Sequence, residues 1–336
     1  MIGLSIWPIR LHLRRGAVQA VLWQGLAVAL VLAAALLLLN NVLHNMHARG
    51  IRSGFDFLLQ PTGFAIGEGL LHFDSADALW RAFVVGLFNT LRVAVIGIVL
   101  ATVLGVALGI GQLARHVLWR GLCRAYVELL RSTPLLLQLL MLYLLLAQRL
   151  PALDSPWHLG ALTLDKGGLT ITLQGLVPLV PLLTLVRAPL DITPLVLTPE
   201  YIALQLGLTL YTAAFIAEVV RSGIRSVAAG QVDAARALGL SPWQQLRFVV
   251  LPQALRVSVP PLANQYLALT KNSSLAVAIG YPDLLSIANT ALNQSGRAVE
   301  CLAIVMAVYL STSLLTSAVM NVYNSRVALR GVHRRA

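Results

Sequence analysis

In a chain otherwise built from apolar side chains, the run VSVPPLANQYLALTKNSSLAVAIG, from Val257 to Gly280, gathers Asn264, Gln265, Lys271, Asn272, Ser273 and Ser274 behind Pro260 and Pro261. Amide, hydroxyl and ammonium groups of this kind can receive a carboxylate by charge-assisted hydrogen bonds. At membrane depth such polar, proline-interrupted helix is tolerated where it lines a water-filled cavity or a protein interface. The same groups can also join helices by hydrogen bonding, and residue type alone does not choose between the two roles. Asn89 and Thr133 are weaker candidates for a polar path, and each equally suits a helix-end cap or a packing break. Bond-making chemistry finds less support. The histidines at 12, 44, 47, 72, 116, 158 and 333 form no metal or nucleophile constellation, Cys123 and Cys301 have no CxxC spacing, and neither Lys166 nor Lys271 follows a glycine as a phosphate loop requires.

A second constellation is DAARALGLSPWQQLRFVVLP, residues 233–252. Gln231 to Leu238 predicts a short helix ended by Gly239, because a glycine just past the last turn takes the left-handed conformation without a Cβ clash. Ser241 fits the N-cap of a second helix, with Pro242 at its first position and Gln244 completing a capping box; Leu251-Pro252 is expected to close that helix before the next span. Ala234, Ala235 and Ala237 add helix propensity with little side-chain bulk, so another surface can approach the backbone. Ordinary connections have a median of about 4–6 residues, so a longer one with caps at both ends points to a docking element. Just before it, Glu218 is expected to pair with Arg221 or Arg225.

These constellations need elements to hold them, and composition says which. The chain is 58% hydrophobic and 11% charged, against roughly 25% charged in soluble globular chains, which makes it an integral membrane protein. Its net charge of +12 sits on arginines at the ends of apolar stretches, where they orient helices and meet anionic lipid headgroups; nucleic acid is not the expected partner. Apolar runs predict spans at 18–40, 84–111, 126–147, 199–220 and 299–322, with a weaker one at 257–280. The first lacks a small-x-small cleavage site after it and is expected to remain as an anchor. A seventh candidate, 169–186, carries Pro178 and Pro181; a single crossing there would put the most basic segments outside, against the positive-inside bias. Six helices with both termini cytoplasmic is the better count, with 169–186 external, re-entrant or half of a cancelling pair. Cys123 and Cys301 then lie on opposite sides of the membrane and cannot be bridged. The expected organisation is an N-terminal tail, anchor and external loop over 1–82, a membrane domain over 83–325 and a basic tail over 326–336.

The spacing Asp233-Ala234-Ala235, Gly239, Val249, Leu251-Pro252 resembles the EAA loop of ABC importer permeases, with Asp in place of Glu and Val in place of Ile. NTLRVAVIG from Asn89, YVELLRSTPLLLQLLMLYLLL from Tyr126, YTAAFIAEVVRSGI from Tyr211 and KNSSLAVAIGYPDL from Lys271 resemble the polar amino-acid branch of these importers, and the extra N-terminal span is similar to the general L-amino-acid subgroup. The stretch 148–198 departs from that subgroup. The resemblance implies an all-α type I ABC importer permease fold, a polytopic bundle of about six transmembrane helices, or up to eight if 148–198 forms an extra pair. It implies a bacterial inner-membrane location, a second homologous permease, a soluble amino-acid-binding protein, and two ATPase subunits that carry the ATP and Mg, leaving no cofactor in this chain. Asp233, Ala234, Ala235, Gly239, Leu251 and Pro252 would then couple to the ATPase: Asp233 by a charge-assisted contact, Gly239 by a tight turn, and Leu251-Pro252 by fixing where the loop re-enters the membrane helix. The rival classes are a stand-alone secondary transporter or channel and a membrane enzyme. The former would carry internal repeats and a coupling carboxylate near a mid-membrane break, and the sequence shows neither.

Overall fold

The computed structural model describes residues 15–48, 50, 53–69, 71, 73–171 and 195–327. They fall in two compact units, Met1–Gly54 and Phe55–Ala336. The first holds helix α1 (Arg15–Ala48), whose most apolar stretch has no buried residue. Such a surface is stable against hydrocarbon rather than water.

The second unit runs α2 (Leu79–Gly111), α3 (Val117–Ser132), α4 (Leu135–Arg149), β1 (Trp157–Leu159), β2 (Leu162–Asp165), β3 (Gly168–Ile171), β4 (Leu195–Leu197), α5 (Pro199–Arg225), α6 (Ala229–Ala237), α7 (Pro242–Gln245), α8 (Leu251–Asn272), α9 (Leu284–Ser295) and α10 (Ala298–Val327). Among the described residues, four helices, α1, α2, α5 and α10, can by length and composition cross a membrane singly, and two bent pairs bring the number to as many as six. The bundle's unit begins at Phe55, and Phe57 of the loop before α2 shares a core cluster with Leu79, Leu284 and Ile287.

The span expected at 126–147 is not one helix. α3 and α4 meet at 104°, with Thr133 extended at φ −103° and ψ 137°. Pro134 is the cause, since its ring disfavours the helical conformation in the residue before it. Gln138 repairs the break by donating to the carbonyls of Leu130 at 2.9 Å and Thr133 at 3.1 Å. At Pro260 and Pro261 the opposite holds: α8 passes through both prolines and gives way only at Ser273, where the turns tighten into a 3-10 helix, Ser273–Ile279. In a membrane helix, neighbouring groups and local adjustments can re-satisfy carbonyls freed by proline.

The bundle's centre is the contact of α2 with α5. Gly97, Ala101, Gly105 and Gly109 recur every four residues, so they line one side of α2. A Cβ on Gly105 would lie 2.6 Å from Ile216 Cβ, and one on Gly109 would lie 2.7 Å from the Ala217 carbonyl. The two backbones therefore touch, as small residues allow between membrane helices.

Between α4 and α5 the chain forms an antiparallel sheet in the order β1-β2-β3-β4, with Leu169 opposite Leu197. Its first three strands lie in the first half of the segment 148–198, in which the sequence admits an extra helix pair, and β4 lies at that segment's end. The candidate span 169–186 starts inside β3; residues 172–186 lie outside the described residues, as do 1–14 and 328–336 of the basic tails.

Candidate functional site

The segment 226–252 folds largely as its residue types dictate. α6 ends in two reciprocal bonds, from Gly239 N to Arg236 O at 2.9 Å and from Leu240 N to Ala235 O at 3.2 Å, with Gly239 at φ +79°. This is the Schellman closure that a glycine permits. Two residues on, Ser241 Oγ accepts from Gln244 N at 3.4 Å while Ser241 N donates to Gln244 Oε1 at 2.8 Å, the expected capping box. Gln245, buried, donates to Leu240 O at 2.7 Å and fixes the turn from inside. Gln253 ties the far end back to α6 through Gln231 Oε1 at 2.8 Å.

One expectation about this segment fails. Leu251-Pro252 does not close the second helix, because the helical path runs from Pro242 to Ile279. A π-turn over Leu246–Val250, with Leu251 N bonded to Leu246 O, leads into α8 and leaves Pro252 at its first turn, where the missing N–H is tolerated. Asp233 pairs with Arg236 at 3.3 Å with both side chains exposed, so that pair adds little stability. Ala235 packs inward, while Ala234 and Ala237 face out. Leu238, Trp243 and Phe248 are 81%, 65% and 62% exposed.

The polar residues of α8 separate into different roles. Asn264 is exposed and lines a cavity of about 220 Å³ with Ser317 and Asn321 of α10. Gln265 and Asn272 are half-buried, and Lys271 is exposed. Ser273 is buried and donates to Thr270 O, and Ser274 donates to Lys271 O, each at 2.8 Å. Asn89 stands apart from this group: fully buried, it donates to the carbonyls of Glu68 and Pro282 at 2.9 Å each. It bolts the loop before α2 and the lead-in to α9 onto α2. Thr133 belongs to the α3–α4 break, where it donates to Leu129 O at 3.1 Å and accepts from Gln138.

Two features escape the sequence analysis. Glu68, in the loop before α2, pairs with Arg92 and accepts from Thr198, the N-cap of α5, while Arg92 lies 4.0 Å over the Tyr201 ring. Burial pushes the Glu68 carboxyl above its ordinary range, against the opposing pull of Thr198 and Arg92. The signal available was Arg92 itself, a charge inside an apolar run that must find a partner. The other feature is a polar cleft of about 690 Å³ between α3 and α5, lined by Arg124, Glu128, Arg131, Glu218, Arg221 and Arg225 among others. Glu218 does pair with Arg221. The α3 residues join it because the bend at Thr133 turns that helix's charged side toward α5.

Comparison with known proteins agrees with this architecture. Residues 97–329 match the family model described as the binding-protein-dependent transport system inner membrane component. An amino-acid ABC transporter permease protein of Escherichia coli (strain K12) is 39% identical over 93% of this chain and 95% of its own length. A general L-amino acid transport system permease protein of Rhizobium johnstonii is 37% identical over 96% of each chain. A glutamate/glutamine/aspartate/asparagine transport system permease protein of Rhodobacter capsulatus is 33% identical over 91% of this chain and 93% of its own. In fold, the chain is similar to a crystal structure of an amino acid ABC transporter with histidines, at TM-score 0.54 and 24% identity over 74% of this chain and 94% of that one. The chain thus belongs to the binding-protein-dependent transport system inner membrane components, as an amino-acid ABC transporter permease that crosses the inner membrane several times.

Proposed function

We propose that this permease passes polar amino acids from a soluble binding protein into the cytoplasm, driven by ATP hydrolysed with Mg on two separate ATPase subunits, and that a second, homologous permease completes the pore. The observation that carries the coupling reading is the capped turn at Gly239, which holds Leu238 and, beyond the capping box, Phe248 exposed on a segment outside the apolar spans. Exposed apolar side chains of that kind mark a surface that another protein covers. Asp233 supplies the charged contact, Ala234 and Ala237 let the partner reach the backbone, and the π-turn before Leu251-Pro252 carries displacement into α8. Relatives named for general L-amino acids and for glutamate, glutamine, aspartate and asparagine support a polar substrate.

On the path, Lys271 with Asn272 and the upstream amides Asn264 and Gln265 receives the substrate carboxylate. Asn89 and Thr133 shape the path through the backbone groups they hold. The charged cleft between α3 and α5, with arginines beside Glu128 and Glu218, complements a zwitterion near the cytoplasmic exit. Purification on a tag carried by this chain should recover an ATPase, and vesicles of that complex should take up amino acid only with binding protein outside and ATP inside. Uptake driven by an ion gradient without ATP would sink the proposal in favour of a stand-alone transporter.

A further inference from the structure

A cavity of about 560 Å³ lies between the ends of α2 and α5 and the start of α8, and amino-acid passage has no use for it. Ile110, Leu113, Val220, Ile224, Val250 and Leu262 are among its walls. Of its lining residues only Ser258, Arg247 and the Trp243 indole carry polar atoms in their side chains, and the Ser258 hydroxyl already donates to Val219 O at 3.4 Å. Water needs two to four polar partners to occupy such a space, and these walls do not provide them. Trp243 and Arg247 are exposed, and among the described residues no carboxylate pairs with Arg247, whose guanidinium lies 5.7 Å from the Phe248 ring.

We propose that this cavity seats an acyl chain of an anionic phospholipid of the cytoplasmic leaflet, with Arg247 on the headgroup phosphate and Trp243 at the hydrocarbon–water boundary. Hydrocarbon walls suit the chain, an indole suits the boundary, and an unpaired arginine on a long apolar stem suits an anionic headgroup. The seat adjoins the π-turn Leu246–Val250, so its occupancy bears on the link between the docking turn and α8. The inference rests on the proposed function, in which the Gly239 turn docks an ATPase and therefore faces the cytoplasm.

The test uses the assembled transporter in phosphatidylcholine vesicles containing graded brominated phosphatidylglycerol or brominated phosphatidylcholine. Quenching at Trp243 is read as the difference between wild type and Trp243→Phe. Half-quenching should require about five-fold less phosphatidylglycerol than phosphatidylcholine, the preference one basic residue gives near an anionic surface. Arg247→Gln should make the two lipids equal, and Ala254→Leu, which places side-chain atoms in the cavity, should weaken quenching by both. Leu262→Phe serves the same purpose should Ala254→Leu not assemble. Equal half-points in wild type overturn the proposal. Absence of Trp243 quenching by either lipid also overturns it and points to a polypeptide occupant. Wild-type uptake in Gly239→Val would sink the coupling reading alone and leave the quenching result standing.

Discussion

Arg92 Nη1 on α2 donates to Glu68 Oε1 at 3.0 Å, with both side chains more than nine-tenths buried. Breaking such a pair from one side leaves an uncompensated charge in low dielectric, at a cost of about 3–5 kcal/mol. Arg92→Met and Glu68→Ala should therefore each lower the unfolding midpoint of the purified permease sharply. The double variant should lose much less than the sum of the two, as read in a double-mutant cycle. Strict additivity would show that the pair does not hold the loop before α2 to the bundle.

The same carboxyl predicts a pH dependence. Because burial raises the Glu68 pKa in the folded chain, the folded state retains a proton that the unfolded state releases. Its contribution is present below the ordinary glutamate range and declines as pH rises through the raised folded value. Thermal unfolding across that window should show a downward slope with pH that Glu68→Gln removes. An unchanged slope in Glu68→Gln would assign it to other groups.

At Gly239 an added Cβ would meet nothing within 4 Å, so substitution acts through φ +79° alone. Valine should impose local strain of about 1–2 kcal/mol, and asparagine, which tolerates the left-handed region, should impose less. Gly239→Val is expected to insert and fold, yet to lose its ATPase on purification or to hydrolyse ATP without uptake. Gly239→Asn should retain most transport. Equal, undiminished uptake in both would reduce the turn to a connection.

For Lys271, exposed at the end of α8, Lys271→Met should cut amino-acid uptake at least about ten-fold, the cost of one lost charge-assisted contact, while ATPase attachment persists. Uptake with unaltered kinetics would return Lys271 to a structural role.

Local chemistry is legible in this sequence and long-range pairing is not, for physical reasons. The Gly239 turn, the Ser241–Gln244 box and the Glu218–Arg221 pair are set by neighbours within a few residues. The 104° bend was readable in Thr133-Pro134 but is averaged away when 126–147 is scored as one apolar span, since hydropathy is blind to backbone direction. The small sheet was not legible, because strands of three and four residues fall below the length at which alternation is distinguishable. Glu68 and Arg92 are 24 residues apart, so nothing in local spacing couples them. Asn89 bonds across 193 residues to Pro282 O, and its part in holding loop, α2 and α9 together was therefore invisible beforehand.

At Gly105 and Gly109, α2 and α5 lie backbone to backbone, and neither can slide without lifting a glycine over Ile216 or Val220. The pair behaves as one stiff beam. On the coupling proposed above, a stroke arriving at the Gly239 turn would not be spent in shear between these helices and would fall on the connections either side of the turn: residues 226–228 after α5 and the π-turn before α8. The throw of the transporter would then be set by a few residues outside its core. Stiffening 226–228 would shorten the stroke while leaving the bundle's packing untouched.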